Sequence, residues 1–343
     1  MISRQTYERT LSQHLRAIAP LMADPSVSEI MINGPDEIFV ERAGRLTLTD
    51  LSFPSSRALM AALSNIAQFA GRELSESVPI LEAHLPDGSR VEAVLPPVSA
   101  RGPTVAIRRF FKEGLTMERL LEFGALTPEA CEFLAGLVDT KQNLLVAGGT
   151  GSGKTSLLNA LSGLIPTGER VVVLEDAQEL QLASEHVVQL EARPADAEGQ
   201  GAVTIRDLFH ATLRLRPDRI VVGEIRGPEA LELIQAMTSG HGGCLSTIHA
   251  SHPKDTLHRL ETLALMSGVE LPLAALRCQV SSAIDWIVQT GRQRDGGRGI
   301  THITEVQSCS SSGEYRLRDH FRREAGVLVA MKAQLECPEV GHD

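Results

Sequence analysis

Eight residues near the middle of the chain constrain its fold more than any other segment. They read Gly148-Gly-Thr-Gly-Ser-Gly-Lys-Thr155 and fit the pattern Gly-x-x-x-x-Gly-Lys-Thr, whose glycines let backbone N–H groups curl around a phosphate. An apolar run precedes them and a helical pattern follows, which places the loop at the anion-favouring N-terminus of a helix. The predicted phosphate-binding residues are Gly148, Gly149, Thr150, Gly151, Ser152, Gly153, Lys154 and Thr155.

Within this loop, two side chains have predicted roles of their own. Lys154 should reach the β- and γ-phosphates of ATP, and the Thr155 hydroxyl should be a ligand of Mg²⁺. A glycine-rich turn with an incidental lysine would lack the preceding strand and the following helix. The motif in its setting therefore predicts an ATP site that uses Mg²⁺.

Short apolar runs after residue 142 predict a parallel sheet. They cover residues 143–147, 170–174, 219–222 and 244–248. Runs that are apolar on both faces suit a sheet covered by helices on both sides. Helical patterns alternate with them, at 154–161, 204–215 and 228–238. The alternation predicts an α/β fold with a doubly wound nucleotide-binding core.

The first third of the chain has a different pattern and predicts a smaller mixed α/β domain. Helical spacing of apolar residues covers 4–22 and 55–70, and strand patterns cover 29–32, the hairpin 37–49, 78–85, 89–95 and 104–111. We place this domain at 1–111, a linker at 112–125 and the nucleotide-binding domain at 126–343. Helices are expected over 112–142, with start signals at Thr116 and Thr127. The tail beyond about residue 292 holds short strand-like pieces whose role the sequence does not indicate.

Acidic residues and a histidine follow the other predicted strands. Glu175, Asp176 and Glu179 follow the second apolar run, which we expect beside the strand of the phosphate loop. Carboxylates there could activate a water molecule or hold Mg²⁺ through water. Glu224 lies two residues after the run 219–222, and His249 directly follows the run 244–248. Strand-end acids also serve as helix caps, and a lone histidine is more often structural than catalytic, so these alternatives stay open.

The composition limits the kinds of partner that the chain can bind. The chain has 43 acidic and 33 basic residues and a formal net charge of −10. Bulk binding to nucleic acid needs many Lys and Arg side chains, so we expect no specific nucleic-acid partner. No apolar segment approaches the roughly 20 residues of a membrane helix, and the N-terminus lacks an apolar signal core. We therefore expect a cytoplasmic protein whose contact with a membrane is peripheral.

Taken together, the four segments resemble the Walker A, Asp box, Walker B and His box of the type II/IV secretion ATPase superfamily. Within it, further segments resemble the CpaF/TadA branch, which powers assembly of Flp/Tad pili. These segments begin at Val27 (Val-Ser-Glu-Ile-Met-Ile-Asn-Gly-Pro-Asp), Asp87 (Asp-Gly-Ser-Arg-Val), Thr204 (Thr-Ile-Arg-Asp-Leu), Arg214 (Arg-Leu-Arg-Pro-Asp-Arg-Ile-Val-Val-Gly-Glu) and Ser246 (Ser-Thr-Ile-His-Ala). The resemblance covers roughly residues 25–306. One departure is Glu224 where a Walker B motif commonly has Asp, which favours contact with Mg²⁺ through water.

The resemblance implies a homohexamer in which a PAS-like N-terminal domain and a RecA-like domain enclose ATP. It implies that Glu175 is the catalytic base, Glu224 the Walker B acid that binds Mg²⁺ through water, and His249 the γ-phosphate sensor. It further implies arginines from the N-terminal domain at the phosphates, where Arg90 and Arg108 match. Arg109 is an alternative to Arg108, because a one-residue error in strand register exchanges the two faces. Which of Arg101, Arg108 and Arg109 contacts the nucleotide stays open at this point.

The resemblance also implies a partner and a place: an inner-membrane platform protein, to which the ring passes ATP-driven domain closure. Three other functions remain open at this point, of which a pilus retraction motor is a weaker candidate. Another is a conjugation or type IV secretion ATPase of the same superfamily. The third is a nucleotide-binding scaffold with little turnover. Export ATPases with a four-cysteine zinc loop are disfavoured, because the five cysteines are widely separated and form no Cys-x-x-Cys pair.

Overall fold

The chain divides into two compact units, Met1–Lys112 and Glu113–Asp343. The computed structural model describes residues 4–42, 44–110, 115–182, 184–195, 199–293, 296–310 and 313–331. Ala43 of the predicted hairpin turn and Phe111 of the last predicted strand of the first unit lie outside these ranges. None of the helices within them is both long and apolar enough to cross a bilayer.

The first unit is built on an antiparallel sheet of six strands in the order β3-β2-β1-β6-β5-β4. The strands are β1 (Val27–Asn33), β2 (Ile38–Arg42), β3 (Arg45–Leu48), β4 (Ile80–His84), β5 (Arg90–Val94) and β6 (Thr104–Arg108). The helices are α1 (Arg4–His14), α2 (Ala19–Ala23) and α3 (Ser56–Ala70). Each predicted strand of this third of the chain, and the helix predicted over 55–70, has a counterpart among these elements.

Helix α3 follows its sequence signals closely. The Ser55 hydroxyl accepts a hydrogen bond from the Ala58 N–H, which caps the first turn. At the other end Gly71 adopts a left-handed conformation (φ 65°) that stops the helix. The predicted apolar face, including Leu59, Leu63 and Ile66, is buried against the core of this unit.

The single helix predicted over 4–22 is wrong in one respect. The structure has two helices, α1 and α2, joined by a 3₁₀ turn at Arg16–Ile18. Pro20 explains the break, because proline has no N–H to donate to the preceding turn and its ring crowds the carbonyl four residues earlier. Pro20 stands instead in the first turn of α2, where it is tolerated.

The second unit is built on a sheet of nine strands in the order β15-β14-β13-β12-β7-β11-β10-β8-β9. Its strands are β7 (Leu144–Gly148), β8 (Val171–Glu175), β9 (Val187–Glu191), β10 (Arg219–Ile225), β11 (Leu245–His249), β12 (Trp286–Arg292), β13 (Arg298–Cys309), β14 (Tyr315–Glu324) and β15 (Val327–Ala330). Its helices are α4 (Met117–Glu122), α5 (Pro128–Asp139), α6 (Lys154–Ser162), α7 (Ile205–Thr212), α8 (Glu229–Thr238), α9 (Pro253–Leu265) and α10 (Leu273–Ala283). Strands β12, β7, β11, β10, β8 and β9 pair in parallel, and the sheet is buried between two apolar clusters.

The strand order corrects one expectation. Strand β8, which carries Glu175, is not beside β7, because β11 and β10 lie between them. The apolar pattern of a strand reports its burial and not its neighbours, and consecutive strands are often separated in a sheet. The neighbour of β7 on this side is β11, so His249 ends the adjacent strand and lies opposite Gly148.

The C-terminal segment completes the same sheet. Strand β12 pairs in parallel with β7, and β13, β14 and β15 extend the sheet in antiparallel fashion. The strand-like pieces of the tail therefore form a wing of the nucleotide-binding unit. The second half of the predicted linker also belongs to this unit, since Met117 and Leu120 of α4 are buried in its core.

Candidate functional site

The predicted phosphate loop joins β7 to α6, and the close packing around it requires glycine at its first position. A Cβ atom on Gly148 would collide with the hydroxyls of Ser152 and Thr290. These hydroxyls are 2.8 Å apart, and the Ser152 hydroxyl also lies 2.8 Å from the Gly149 carbonyl oxygen. The curled shape of the loop is thus held by the Ser152 side chain of the loop itself and by the Thr290 side chain of β12.

Lys154 is the first residue of α6, and its side chain turns back into the loop. Its ammonium group donates a hydrogen bond to the Gly149 carbonyl oxygen at 3.0 Å and lies 3.4 Å from both ring nitrogens of His249. The lysine is buried although it is charged. A buried cation at a helix N-terminus is a strong attraction for a phosphate group. Thr155 follows in the first turn of α6.

Glu224 and His249 meet beside this lysine. The Glu224 Oε1 atom lies 2.9 Å from His249 Nε2, and its Oε2 accepts a hydrogen bond from Arg226 at 2.7 Å. Arg226 reaches Asp176 in turn, at 3.5 Å. The ends of β8, β10 and β11 and the N-terminus of α6 are thereby joined by one chain of polar contacts.

Burial and the Lys154 charge lower the pKa of His249, against the opposing effect of Glu224. The imidazole is therefore neutral at pH 7. A neutral ring has one N–H donor and one acceptor, so it can bond the Glu224 carboxylate through the donor and leave the other nitrogen for a second partner.

Glu175 stands apart from that chain, deep at the end of β8. It is 3% exposed, and its Oε1 accepts hydrogen bonds from the N–H groups of Glu179 and Leu180 at 3.0 and 2.9 Å. Its Oε2 atom is buried and bonds to nothing in the described ranges. Burial raises the pKa of Glu175 to about 7, although the two N–H groups oppose the shift. A carboxyl with this pKa exchanges protons near neutrality, as a general base must.

Gly223 explains how Glu175 fits. A Cβ at position 223 would stand 3.0 Å from Cγ of Glu175, so the carboxylate lies against a strand that has no side chain at this level. The Gly223 carbonyl accepts a hydrogen bond from the Thr247 hydroxyl of β11 at 2.7 Å. Glu175 is therefore held by the backbone N–H groups of Glu179 and Leu180 and packs against Gly223 of β10.

The predicted arginines of the first unit occupy distinct positions. Arg90 and Arg108 are partners across β5 and β6, and Arg90 donates a hydrogen bond to Glu82 at 3.2 Å. Arg109 instead donates to the backbone carbonyls of Leu21 and Asp24, at 2.9 and 3.4 Å. Arg109 is therefore engaged within the first unit, whereas the Arg108 side chain is exposed.

Sequence reasoning missed two contributors to the site. Arg226 lies just beyond the end of β10, two residues after Glu224, and a basic residue this close to the predicted Walker B acid is a signal that could have been used. Thr290 had no such signal, because it reaches the loop only through the pairing of β12 with β7. The described residues include no group of three or more His, Cys, Asp or Glu side chains arranged to hold a metal ion.

The fold and the loop define a P-loop nucleotide-binding unit of the RecA-like type. Over residues 12–305 the chain matches the family described as type II/IV secretion system protein, and it belongs to this family. It is 35% identical over 298 residues to a Mycobacterium tuberculosis (strain H37Rv) protein whose name assigns it to conjugal transfer, covering 85% of this chain and 84% of that one. It is 32% identical over 320 residues to the type IV secretion system protein VirB11 of Brucella suis, covering 85% and 88%.

A solved structure shows the same fold at lower identity. The Legionella pneumophila ATPase DotB superposes with a TM-score of 0.58 and 20% identity, over 88% of this chain and 81% of that one. The family match over residues 12–305 confirms the resemblance to the type II/IV secretion ATPase superfamily. The comparisons do not single out the Flp/Tad branch.

Proposed function

We propose that the chain is the ATP-hydrolysing motor of a secretion or pilus-assembly machine. The observation that carries this proposal is the convergence of Lys154, His249 and Glu224 at a P-loop, in the same unit as a buried Glu175 with a pKa near 7. A site that only binds nucleotide has no need of a buried carboxyl poised to take a proton. This supports hydrolysis over a scaffold with little turnover.

Each residue has a role in the proposed reaction. Lys154 exchanges its bond to the Gly149 carbonyl for oxygens of the β- and γ-phosphates. Glu175 takes a proton from the water that attacks the γ-phosphorus, while the bond to the β–γ bridging oxygen breaks. The single N–H of the neutral His249 ring bonds either the Glu224 carboxylate or an oxygen of the γ-phosphate, so loss of that phosphate returns the hydrogen bond to Glu224.

The residues also fit Mg²⁺. Thr155 offers a hydroxyl and Glu224 a carboxylate, which are oxygen ligands of the kind Mg²⁺ prefers. Both Glu224 oxygens already contact His249 and Arg226, so contact through water suits this carboxylate better than direct ligation. Bound Mg²⁺ would neutralise charge on the phosphates.

The proposal extends to the assembly. The first unit acts as the PAS-like domain and supplies Arg90 and Arg108 to the phosphates. Six chains form a ring, cytoplasmic and peripheral at the inner membrane, that acts on a platform protein. We favour Flp/Tad pilus assembly because of the segments at Val27, Asp87 and Arg214. Conjugation or type IV secretion is the second candidate, and the names of the M. tuberculosis and B. suis relatives favour it.

Phosphate release from ATP by the full chain, measured with malachite green in the presence of Mg²⁺, tests the motor. Wild type should turn over and Lys154→Ala should not, whereas equal and negligible rates would favour the scaffold. Native mass with a non-hydrolysable ATP analogue tests the hexamer. The neighbouring genes separate the two machines: prepilin and platform genes accompany a pilus motor, and relaxase and coupling-protein genes accompany conjugation.

A further inference from the structure

The end of β12 lies directly on the phosphate loop. Thr290 is the strand partner of Gly148, and its hydroxyl is 3.0 Å from the Ala147 carbonyl oxygen and 2.8 Å from the Ser152 hydroxyl. Its side chain is buried. The next side chain on the same face of β12 should therefore also lie beside the phosphate loop.

The next residue on this face of β12 after Thr290 is Arg292. Side chains two apart in a strand share a face, so Arg292 continues the face on which Thr290 touches the loop. Its guanidinium lies over Gly151, so closely that a Cβ atom at position 151 would collide with it. Gly151 has a left-handed φ of 65°. The loop backbone and the guanidinium thus approach each other at a point where no side chain intervenes.

A second arginine lies opposite. Arg298 is the partner of Arg292 across β12 and β13. Its Cβ lies 3.9 Å from where a Cβ of Gly153 would be, so its stem also borders the loop. The β12–β13 hairpin therefore places both arginines beside the loop.

The Arg292 side chain is exposed. In the described part of the chain, no acidic side chain forms an ion pair with it. A guanidinium that is held against a phosphate loop by its strand, and that has its donors available, is suited to bind phosphate oxygens through two parallel hydrogen bonds.

We propose that Arg292 is a further phosphate-binding residue of the nucleotide site, supplied by the C-terminal wing of the same chain. Its ligand is the polyphosphate of the bound nucleotide. This inference rests on the proposed function, since it requires that the loop bind nucleotide. It makes the wing part of the nucleotide site and not only an extension of the sheet.

Binding of ADP to the full-length protein, measured by calorimetry, tests the proposal. Arg292→Gln should weaken ADP roughly 10- to 100-fold, the effect of losing a charge-assisted hydrogen-bonded contact. Arg292→Lys should lie between, because it keeps the charge and loses the paired donors. The matched control is Arg316→Gln: Arg316 is another exposed strand arginine, opposite Ser308 at the far end of β13, roughly 30 Å from Arg298.

The outcomes are distinct. Weakened binding in Arg292→Gln, with Arg316→Gln like wild type and an unchanged melting temperature of the nucleotide-free protein, supports the proposal. Wild-type affinity in Arg292→Gln, or an equal loss in Arg316→Gln, overturns it. The Lys154→Ala variant distinguishes a failure of the proposed nucleotide site from a failure of the proposed role of Arg292. If Lys154→Ala also binds ADP like wild type, the nucleotide site itself is wrong, whereas loss in Lys154→Ala alone refutes only the role of Arg292.

Discussion

The Nε2 atom of His249 lies 2.9 Å from Oε1 of Glu224, so residues from two different strand ends meet at one point beside the phosphate loop. Lys154 stands on the other side of the imidazole, 3.4 Å from its ring nitrogens. The histidine is therefore placed between a carboxylate that favours its protonated form and an ammonium group that opposes it. Any change in either charge will be registered by the pKa of this ring.

Removing each charge in turn should move the pKa of His249 in opposite directions. Glu224→Gln should lower it further, because the carboxylate is what raises it, and Lys154→Met should raise it, because the ammonium lowers it. NMR titration of the histidine ring resonances measures both. His302 of β13, whose pKa is lowered chiefly by burial, is the internal control and should not move. Shifts of the same sign in both variants would contradict the arrangement.

Glu175→Gln should reduce ATP hydrolysis by at least about 100-fold, the usual contribution of a general base. The wild-type rate should rise with pH through about 7, since only the ionised carboxyl accepts a proton and its pKa is about 7. A pH–rate profile under saturating Mg²⁺ and ATP measures this. Near wild-type turnover in Glu175→Gln would move the assignment to Glu224 or Glu179.

Stability provides a second test of Glu175 that does not depend on catalysis. Below pH 4.5 the carboxyl is protonated in both folded and unfolded chains, so its raised pKa has no effect on folding. Between 4.5 and about 7 the unfolded chain releases the proton while the folded chain keeps it, so stability falls as pH rises. The Glu175→Gln variant does not lose stability in this way, because glutamine has no carboxyl group to titrate. Its melting temperature relative to wild type should therefore increase from pH 4.5 to pH 7.5, and a constant difference would contradict the raised pKa.

Two adjacent glycines of the loop should respond very differently to alanine. Gly148→Ala places a methyl group against Ser152 and Thr290, including the Thr290 carbonyl at 2.8 Å, and should destabilise the second unit by about 1–3 kcal/mol. Gly149→Ala meets nothing within 4 Å, so it should leave stability unchanged. Thermal unfolding of the two variants compares them directly. Equal losses would mean that the β12 contact does not limit position 148.

Local patterns predicted most of the second unit, because a buried parallel strand and a phosphate loop leave strong marks in the sequence. The caps at Thr116 and Thr127 were found for the same reason: each hydroxyl accepts a bond from an N–H three residues on. Strand order was not predictable in this way. The separation of β8 from β7 and the contact of Thr290 with the loop depend on pairing between distant segments, which apolar periodicity does not encode.

The arginines of the first unit illustrate a limit of another kind. Arg108 and Arg109 are adjacent, and the choice between them depended on the register of one strand. In the structure Arg109 donates to the carbonyls of Leu21 and Asp24, which ties β6 to the end of α2, and Arg108 is exposed opposite Arg90. Arg109 therefore has a structural contact that Arg108 lacks, although no local feature of the sequence distinguishes the two residues.

That difference separates a structural arginine from a candidate phosphate ligand. Arg109→Ala should lower the stability of the first unit by about 1–3 kcal/mol, because backbone carbonyls lose their donors. Arg108→Ala should leave stability unchanged and reduce ATP hydrolysis, by as much as about 10³-fold if it stabilises the transferred phosphoryl group. Thermal unfolding and phosphate release, measured on both variants, give a two-by-two comparison. Loss of activity in Arg109→Ala with wild-type melting, and full activity in Arg108→Ala, would reverse the assignment and make Arg109 the candidate ligand.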